Sequence, residues 1–300
     1  MSMKPVEDHP LRAIAFMLGA VFLFSTMDVA FKQLVAHYSS VQVAFLRCVL
    51  SAPLFAVWIL ARDPRLFRTG NWRMHGVRAL FALGMLVAVG ESFRELPLAD
   101  AYAIFFAAPL LITLLSGPLM REPAGAARTA AGLIGFLGVL VVLKPGAGTL
   151  VSYGSAMALV AVACYTGVVF LLRSLGRHEH SVTIAFWYTA LVALLSGSLL
   201  IGRWQALRAD DWPWLVLLGI AGTVGQVMIT AAYRRAPAAV IAPLDYVHMF
   251  WAVLYGWWLW GDLPGARVWT GTAVVVACGL FIMYRERRQV LAARARGAGL

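Results

Sequence analysis

The chain has 300 residues, of which 61% are hydrophobic and only 13% are charged, and its net charge is +11. A water-soluble domain is about half apolar and about a quarter charged, so this composition excludes an ordinary soluble protein and indicates a chain that spans a lipid bilayer. The basic residues flank apolar runs and form no continuous stripe. We therefore do not expect nucleic acid as a partner.

Ten apolar runs are long enough to cross a bilayer, because about 20 helical residues span its hydrocarbon core. The runs cover residues 13–35, 40–61, 74–93, 97–119, 126–143, 150–173, 181–201, 212–233, 237–260 and 266–284. The first run lacks a clear small-residue cleavage site, so we expect a first transmembrane helix and not a signal peptide. No Gly-Lys-Ser/Thr phosphate loop occurs in the sequence, and we expect neither a cofactor nor ATP-driven pumping.

The distribution of basic residues predicts how the chain is oriented. If the N-terminus lies in the cytoplasm, most arginines and lysines fall at the inner ends of the ten helices, as the positive-inside rule requires. An even number of helices then returns the basic tail, residues 291–300, to the same side. We expect both termini in the cytoplasm and a multi-pass protein of the cell inner membrane.

The two halves of the sequence resemble each other at a nearly constant offset. His37 aligns with His178 at an offset of 141, and Pro97 aligns with Pro237 at an offset of 140. Residues 1–145 are therefore predicted to form a first repeat of five helices and residues 146–290 a second. Because five is odd, the second repeat enters the bilayer upside down. The predicted fold is an all-α membrane protein of ten transmembrane helices in two inverted repeats, an architecture that places a solute site near the bilayer midplane.

The fourth and fifth runs of the first half carry a resemblance to a known family. Residues 97–101 (Pro-Leu-Ala-Asp-Ala) are followed by Pro109 within the run, Glu122 beyond its end and glycines at 132–138. This pattern resembles the EamA-type ten-helix carriers of the drug/metabolite transporter superfamily, and the resemblance implies a transporter. In the second half Met249 stands at the position of Pro109, so a kink shared by the two halves is not implied.

A second resemblance is narrower. The first run contains Phe24-Ser25-Thr26-Met27-Asp28 with Lys32 four residues later, and the second run contains Phe45-Leu46-Arg47. These motifs are similar to those of a bacterial subgroup that includes carriers for S-adenosylmethionine, riboflavin and opine-type metallophores. The motifs do not choose among these solutes.

Ionisable side chains inside the runs are candidates for function, because a charge at the bilayer centre costs about 2.5–3.5 kcal/mol on insertion scales. They are Asp28, Arg47, Glu91, Asp245 and His248. Helical rise predicts that the first three share one level and that the last two lie one turn apart on one face. Arg47 is suited to a carboxylate, the acidic groups to an ammonium group, and any carboxylate or His248 to a coupled proton. Alternatively, Asp28 only pairs with Arg47 or Lys32 and joins the first two helices.

Four tyrosines within the runs complete the predicted site: Tyr102, Tyr165, Tyr188 and Tyr246. A tyrosine stacks on a flat solute and also offers a hydroxyl donor. The alternative is that these rings only pack against neighbouring helices or lipid.

The sequence predicts a secondary transporter of a small polar or zwitterionic, amino-acid-like metabolite, with export of an amino acid or opine-type metallophore favoured. Import of S-adenosylmethionine or riboflavin is the alternative within the same class. The partners are a small solute and the bilayer, while a coupling proton and a homodimer stay open. We do not expect an enzyme or a bound metal. A membrane enzyme would have to use Cys164-Tyr165 or the run His178-Glu179-His180, and a non-transporting scaffold is the other rival.

Overall fold

The computed structural model describes residues 10–120, 126–143, 152–176, 179–233, 235 and 242–297. Within these ranges the secondary structure is helical and contains no strand. The first five helices are α1 (Pro10–His37), α2 (Ser40–Arg62), α3 (Trp72–Glu95), α4 (Leu98–Phe105) and α5 (Ala108–Met120). The others are α6 (Ala126–Leu143), α7 (Tyr153–Leu175), α8 (Ser181–Leu199), α9 (Trp212–Tyr233), α10 (Val247–Tyr255) and α11 (Ala266–Gly297).

Eight helical segments of the described chain are long and apolar enough to cross a membrane, and α6 contains a shorter apolar stretch, Ala130–Val142. One of the eight, Leu98–Leu115, combines α4 with the start of α5. The predicted run 237–260 lies partly outside the described residues. Its described part is a 3₁₀ turn (Ala242–Tyr246), then α10, then a π-helical turn (Gly256–Trp260). This run is therefore not the regular α-helix that the prediction assumed.

Local sequence explains where several helices begin and break. The hydroxyls of Ser39 and Ser152 accept hydrogen bonds from the amides of Gln42 and Ser155, both at 3.2 Å, and so cap the first turns of α2 and α7. The break between α4 and α5 precedes Pro109, which has no N–H to donate to the preceding turn.

The chain divides into two compact units that draw helices from both halves of the sequence. Unit 1 comprises residues 1–22, 98–150 and 225–300, and unit 2 comprises residues 23–97 and 151–224. In unit 2, α3 packs against α7 and α8, and α2 packs against α8.

In unit 1, α6 and α11 pack closely at two glycines. A Cβ added to Gly138 would lie 3.0 Å from the carbonyl oxygen of Gly271, and one added to Gly271 would lie 2.6 Å from that of Gly138. Only residues without side chains permit this approach of two backbones. Gly138, one of the glycines at 132–138, therefore permits the close packing of α6 on α11.

Candidate functional site

Aromatic rings from three segments of unit 1 meet in what we call the Tyr102 cluster, formed by Tyr102, Phe106, Tyr246 and His248. The ring of Tyr102 stacks on that of His248, with centroids 5.3 Å apart and planes 18° apart, and the Tyr102 hydroxyl lies 3.4 Å from His248 Nδ1. Phe106 meets Tyr246 edge to face at 5.0 Å. Tyr102 is only 6% exposed, so the cluster places a phenol and an imidazole in an apolar interior.

Breaks in the helices position this cluster. Helix α4 ends at Phe105, and the amide of Ala107 bonds to the carbonyl of Ile104 at 2.9 Å in a tightened turn. The offset of 140 relates Phe106 to Tyr246, the last residue of the 3₁₀ turn before α10. Both halves thus interrupt the same helix at an equivalent position, and each has a proline three residues from it, Pro109 after Phe106 and Pro243 before Tyr246. The two equivalent rings touch at these interruptions.

The side chain of Tyr246 occupies the space that a side chain at position 279 would need. Its hydroxyl lies against the Cα of Gly279 in α11, where any Cβ would collide with it. Asp245 precedes Tyr246 within the 3₁₀ turn and is half-buried. The prediction that Asp245 and His248 share one face assumes a continuous α-helix. In the structure the helix type changes between the two residues. The ring described against His248 is that of Tyr102.

Unit 2 contains a second group, which we call the arginine–tyrosine cluster: Arg47, Arg78 and Tyr188. The guanidinium of Arg78 lies over the Tyr188 ring, 5.0 Å from its centroid, and donates from Nη1 to the carbonyl of Ile184 at 3.1 Å. Arg47 and Arg78 both act electrostatically on the Tyr188 hydroxyl. The offset of 141 pairs Arg47 with Tyr188, so equivalent positions of the two halves face each other where α2 packs on α8.

Arg78 is the residue that the sequence interpretation missed. The charge pattern suggests that Arg78 is one of the basic residues that flank apolar runs. In the structure it lies in the second turn of α3 and is only 7% exposed. A signal was present, because position 78 falls inside the predicted run 74–93. An ionisable residue there belongs with the other candidates for function.

Glu91 and Arg47 differ in their described partners, while the common level of Asp28, Arg47 and Glu91 stays a prediction. Glu91 accepts a hydrogen bond from the Ser40 hydroxyl at 2.5 Å and lies 3.4 Å from Nε of Arg94. Arg47 forms no ion pair with Asp28 or with any other described carboxylate. Glu91 therefore helps to join the start of α2 to the end of α3.

Lys32 has a structural partner of its own. Its Nζ donates to the carbonyls of Phe93 at 2.8 Å and Leu96 at 2.6 Å. These carbonyls end α3 and have no partner within that helix, so a cation satisfies them well.

Tyr165 is 44% exposed, the most open of the four predicted tyrosines.

Two hydrogen-bonded clusters tie the linkers of unit 2 to helix starts, at positions related by the offsets of 140 and 141. In the first, Asp211 accepts from the Tyr38 hydroxyl at 2.7 Å and lies 3.0 Å from His37 Nδ1. In the second, Glu179 accepts from Asn71 Nδ2 at 3.0 Å. Position 38 corresponds to 179 and position 71 to 211. The same pair of equivalent positions is therefore linked twice. Tyr38 donates to Asp211 in the first link, and its counterpart Glu179 accepts from Asn71 in the second.

The second cluster shows what Glu179 does. Its carboxylate also accepts from Thr69 at 2.5 Å and lies 2.7 Å from Nε2 of the buried His75. Burial by itself raises the pKa of Glu179, but the bonds from Thr69, His75 and Asn71 outweigh it, and the pKa is held below its ordinary value. Glu179 is thus engaged in joining the α7–α8 linker to α3.

The run His178-Glu179-His180 does not assemble a metal site among the described residues. His178 lies outside them. His180 caps α8, because its Nδ1 accepts from the amide of Val182 at 3.4 Å. The other enzyme candidate, Cys164-Tyr165, lies within α7 next to Gly84 of α3.

Both halves of the chain are similar to known transporters. The model of the EamA-like transporter family matches residues 11–144 and again residues 152–285. A riboflavin transporter of Vibrio cholerae is 26% identical over 95% of this chain and 97% of its own length. The pseudopaline exporter CntI of Pseudomonas aeruginosa is 26% identical over 86% of this chain and 92% of its own.

A more distant relative is an S-adenosylmethionine uptake transporter of Rickettsia conorii, 21% identical over 93% of this chain and 94% of its own. One crystal structure, whose chain is 20% identical, superposes with a TM-score of 0.65 over 92% of this chain and 98% of that one. At this identity the superposition shows the fold alone. Because the family model matches both halves, the chain belongs to the EamA-like transporter family of the drug/metabolite transporter superfamily.

Proposed function

We propose that this protein is a secondary transporter that exports a small polar or zwitterionic, amino-acid-like metabolite across the cytoplasmic membrane, with both termini in the cytoplasm. Family membership supports transport. The observation that carries the choice of a polar solute is the burial of polar and ionisable groups within apolar helices, above all Arg78 over Tyr188. Such groups are costly in a bilayer and mark solute or ion pathways.

The Tyr102 cluster supports a proton-linked cycle in this proposal. His248 is half-buried, and its Nδ1 faces the Tyr102 hydroxyl. Histidines inside transporter helices serve in proton relays, and the Tyr102 hydroxyl is a hydrogen-bond partner for such a proton. His248 is then the coupling residue, and the neighbouring Asp245 is a second group that can carry the proton.

Import of riboflavin or S-adenosylmethionine is the second candidate. The name of one relative, an S-adenosylmethionine uptake transporter, favours import, and that of another, a riboflavin transporter, favours riboflavin as the solute. The pseudopaline exporter, as similar as the riboflavin transporter, favours export. Transport in vesicles distinguishes the two.

The test uses purified protein reconstituted into lipid vesicles that are loaded with the small-molecule extract of the host cells. Mass spectrometry identifies solutes that leave protein-containing vesicles faster than protein-free vesicles. Release of an amino-acid-like solute supports the proposal. Exchange of riboflavin or S-adenosylmethionine alone supports the second candidate, and vesicles that release nothing beyond the protein-free control contradict both.

A further inference from the structure

Arg78 is a buried cation with no carboxylate partner among the described residues. The side chain is only 7% exposed, and no ion pair joins it to a described carboxylate. Its Nε–H is buried and has no hydrogen-bond partner. A buried charge costs several kcal/mol unless it is paired and hydrogen-bonded, so this guanidinium lacks most of what would normally stabilise it.

The contacts that Arg78 does have orient it without neutralising it. One bond runs from Nη1 to the Ile184 carbonyl, and Cζ lies over the ring of Tyr188, 5.0 Å from its centroid. A cation over an aromatic ring gains about 0.5–2 kcal/mol, which is less than the cost of burial. The ring and the carbonyl thus hold the guanidinium in place while its remaining N–H groups stay available.

Arg47 adds a second positive charge to the same place. It is half-buried in α2, the helix that packs on α8 where Tyr188 lies, and has no described ion-pair partner. Two like charges near one phenol repel each other, and an anion between them would remove the repulsion. The N–H groups of a guanidinium match the two oxygens of a carboxylate, as they also match those of a phosphate.

We propose that Arg47 and Arg78, arranged around Tyr188, bind a carboxylate of the transported solute, so that the cargo is a carboxylate-bearing metabolite. This inference rests on the proposed transport function, but it narrows the cargo. Riboflavin has no carboxylate and is excluded as the principal solute. Amino acids and their N-carboxyalkyl derivatives satisfy the requirement, and a second carboxylate would match the second arginine.

The test separates binding from transport. Purified full-length protein in lipid nanodiscs is incubated with the small-molecule extract of the host, and the retained solutes are identified by mass spectrometry. A portion of the extract is first treated with acidic methanol, which converts carboxylates to methyl esters. The wild type is expected to retain carboxylate-bearing solutes from the untreated extract and to lose them after esterification.

Three variants complete the design. In Arg78→Gln the loss of a charge-assisted contact is expected to weaken retention about tenfold to hundredfold. Arg78→Lys keeps the charge without the fork and should fall between, and it serves as the test if the glutamine variant does not fold. The matched control is Arg62→Gln, since Arg62 also lies over an aromatic ring, Trp58 at 5.5 Å, but is exposed. This control should retain solute like the wild type.

The proposal is overturned if the retained solutes carry no carboxylate, if nothing is retained, or if a folded Arg78 variant retains them as well as the wild type. Vesicle release then reports on the proposed function separately. Release that continues in the variant leaves transport standing without this site. Retention that depends on Arg78 but is followed by no release leaves the site standing without transport.

Discussion

Tyr102 and His248 stack face to face with ring centroids 5.3 Å apart, and the phenol hydroxyl lies 3.4 Å from the imidazole Nδ1. The two residues come from α4, which precedes the interruption at Phe106, and α10, which follows the equivalent interruption at Tyr246. A proton bound by this pair would alter the contact between the two helices. The pair is therefore our candidate for the link between proton binding and solute movement.

Replacement of His248 by glutamine is expected to abolish accumulation driven by a pH gradient while leaving exchange of solute across vesicles in place. The reason is that glutamine fills a similar volume but does not titrate. The measurement compares gradient-driven transport with counterflow in the same vesicles. His180→Asn is the matched control, because asparagine can replace the His180 cap on α8. Gradient-driven accumulation that survives in His248→Gln would exclude this histidine as the coupling residue.

Glu179→Gln is expected to lower the free energy of unfolding by about 1–3 kcal/mol, because the bonds to Thr69, Asn71 and His75 lose their charged acceptor. Thermal unfolding of the purified protein, followed by size-exclusion fluorescence, measures the loss. Asp210→Asn is the matched control, since the Asp210 carboxylate is 88% exposed. An unchanged midpoint in Glu179→Gln would show that the linker cluster contributes little.

The same carboxylate predicts a dependence of stability on pH. The pKa of Glu179 is lower in the folded protein than in the unfolded chain, so its contribution is complete above the unfolded value of about 4.3 and is lost as pH falls through the folded value. The unfolding midpoint of the wild type should therefore fall more steeply below about pH 4.3 than that of Glu179→Gln. Parallel curves for the two proteins would contradict this assignment.

The location of most apolar helices could be predicted because the bilayer demands long apolar runs, and α2, α3 and α8 lie where those runs were expected. The link between Glu179 and His75 could not be predicted, because it joins residues 104 positions apart across two elements. Arg78 shows another limit. Its position within a run was visible, but its pairing with Tyr188 depends on how α3 packs against α8.

Only part of the interruption at Tyr246 could be predicted from the sequence. Pro109 follows the break in the first half, and Pro243 lies within the 3₁₀ turn of the second half, although Met249 at the position equivalent to Pro109 carries no such signal. The glycine at position 279, which makes room for the Tyr246 hydroxyl, belongs to another helix. Its role becomes evident only once α11 is placed beside the turn.

Gly271→Ala is expected to destabilise the packing of α6 on α11 by about 1–3 kcal/mol, because the added methyl group would overlap a backbone carbonyl. Gly76→Ala in α3 is the control, since nothing lies within 4 Å of its added Cβ and alanine favours helix. Thermal unfolding of both variants measures the difference. Equal midpoints would mean that the two helices separate easily at this contact.

The most direct test of export compares small metabolites inside the host cells and in their medium. The strains are the wild type, a strain that lacks the gene, the same strain with the gene restored, and one restored with Arg78→Gln, in which protein levels are matched. We predict that one carboxylate-bearing metabolite accumulates inside the deletion strain, disappears from its medium, and returns to normal only with the unaltered gene. A metabolite that instead falls inside the deletion strain and persists in the medium would contradict export and identify an importer.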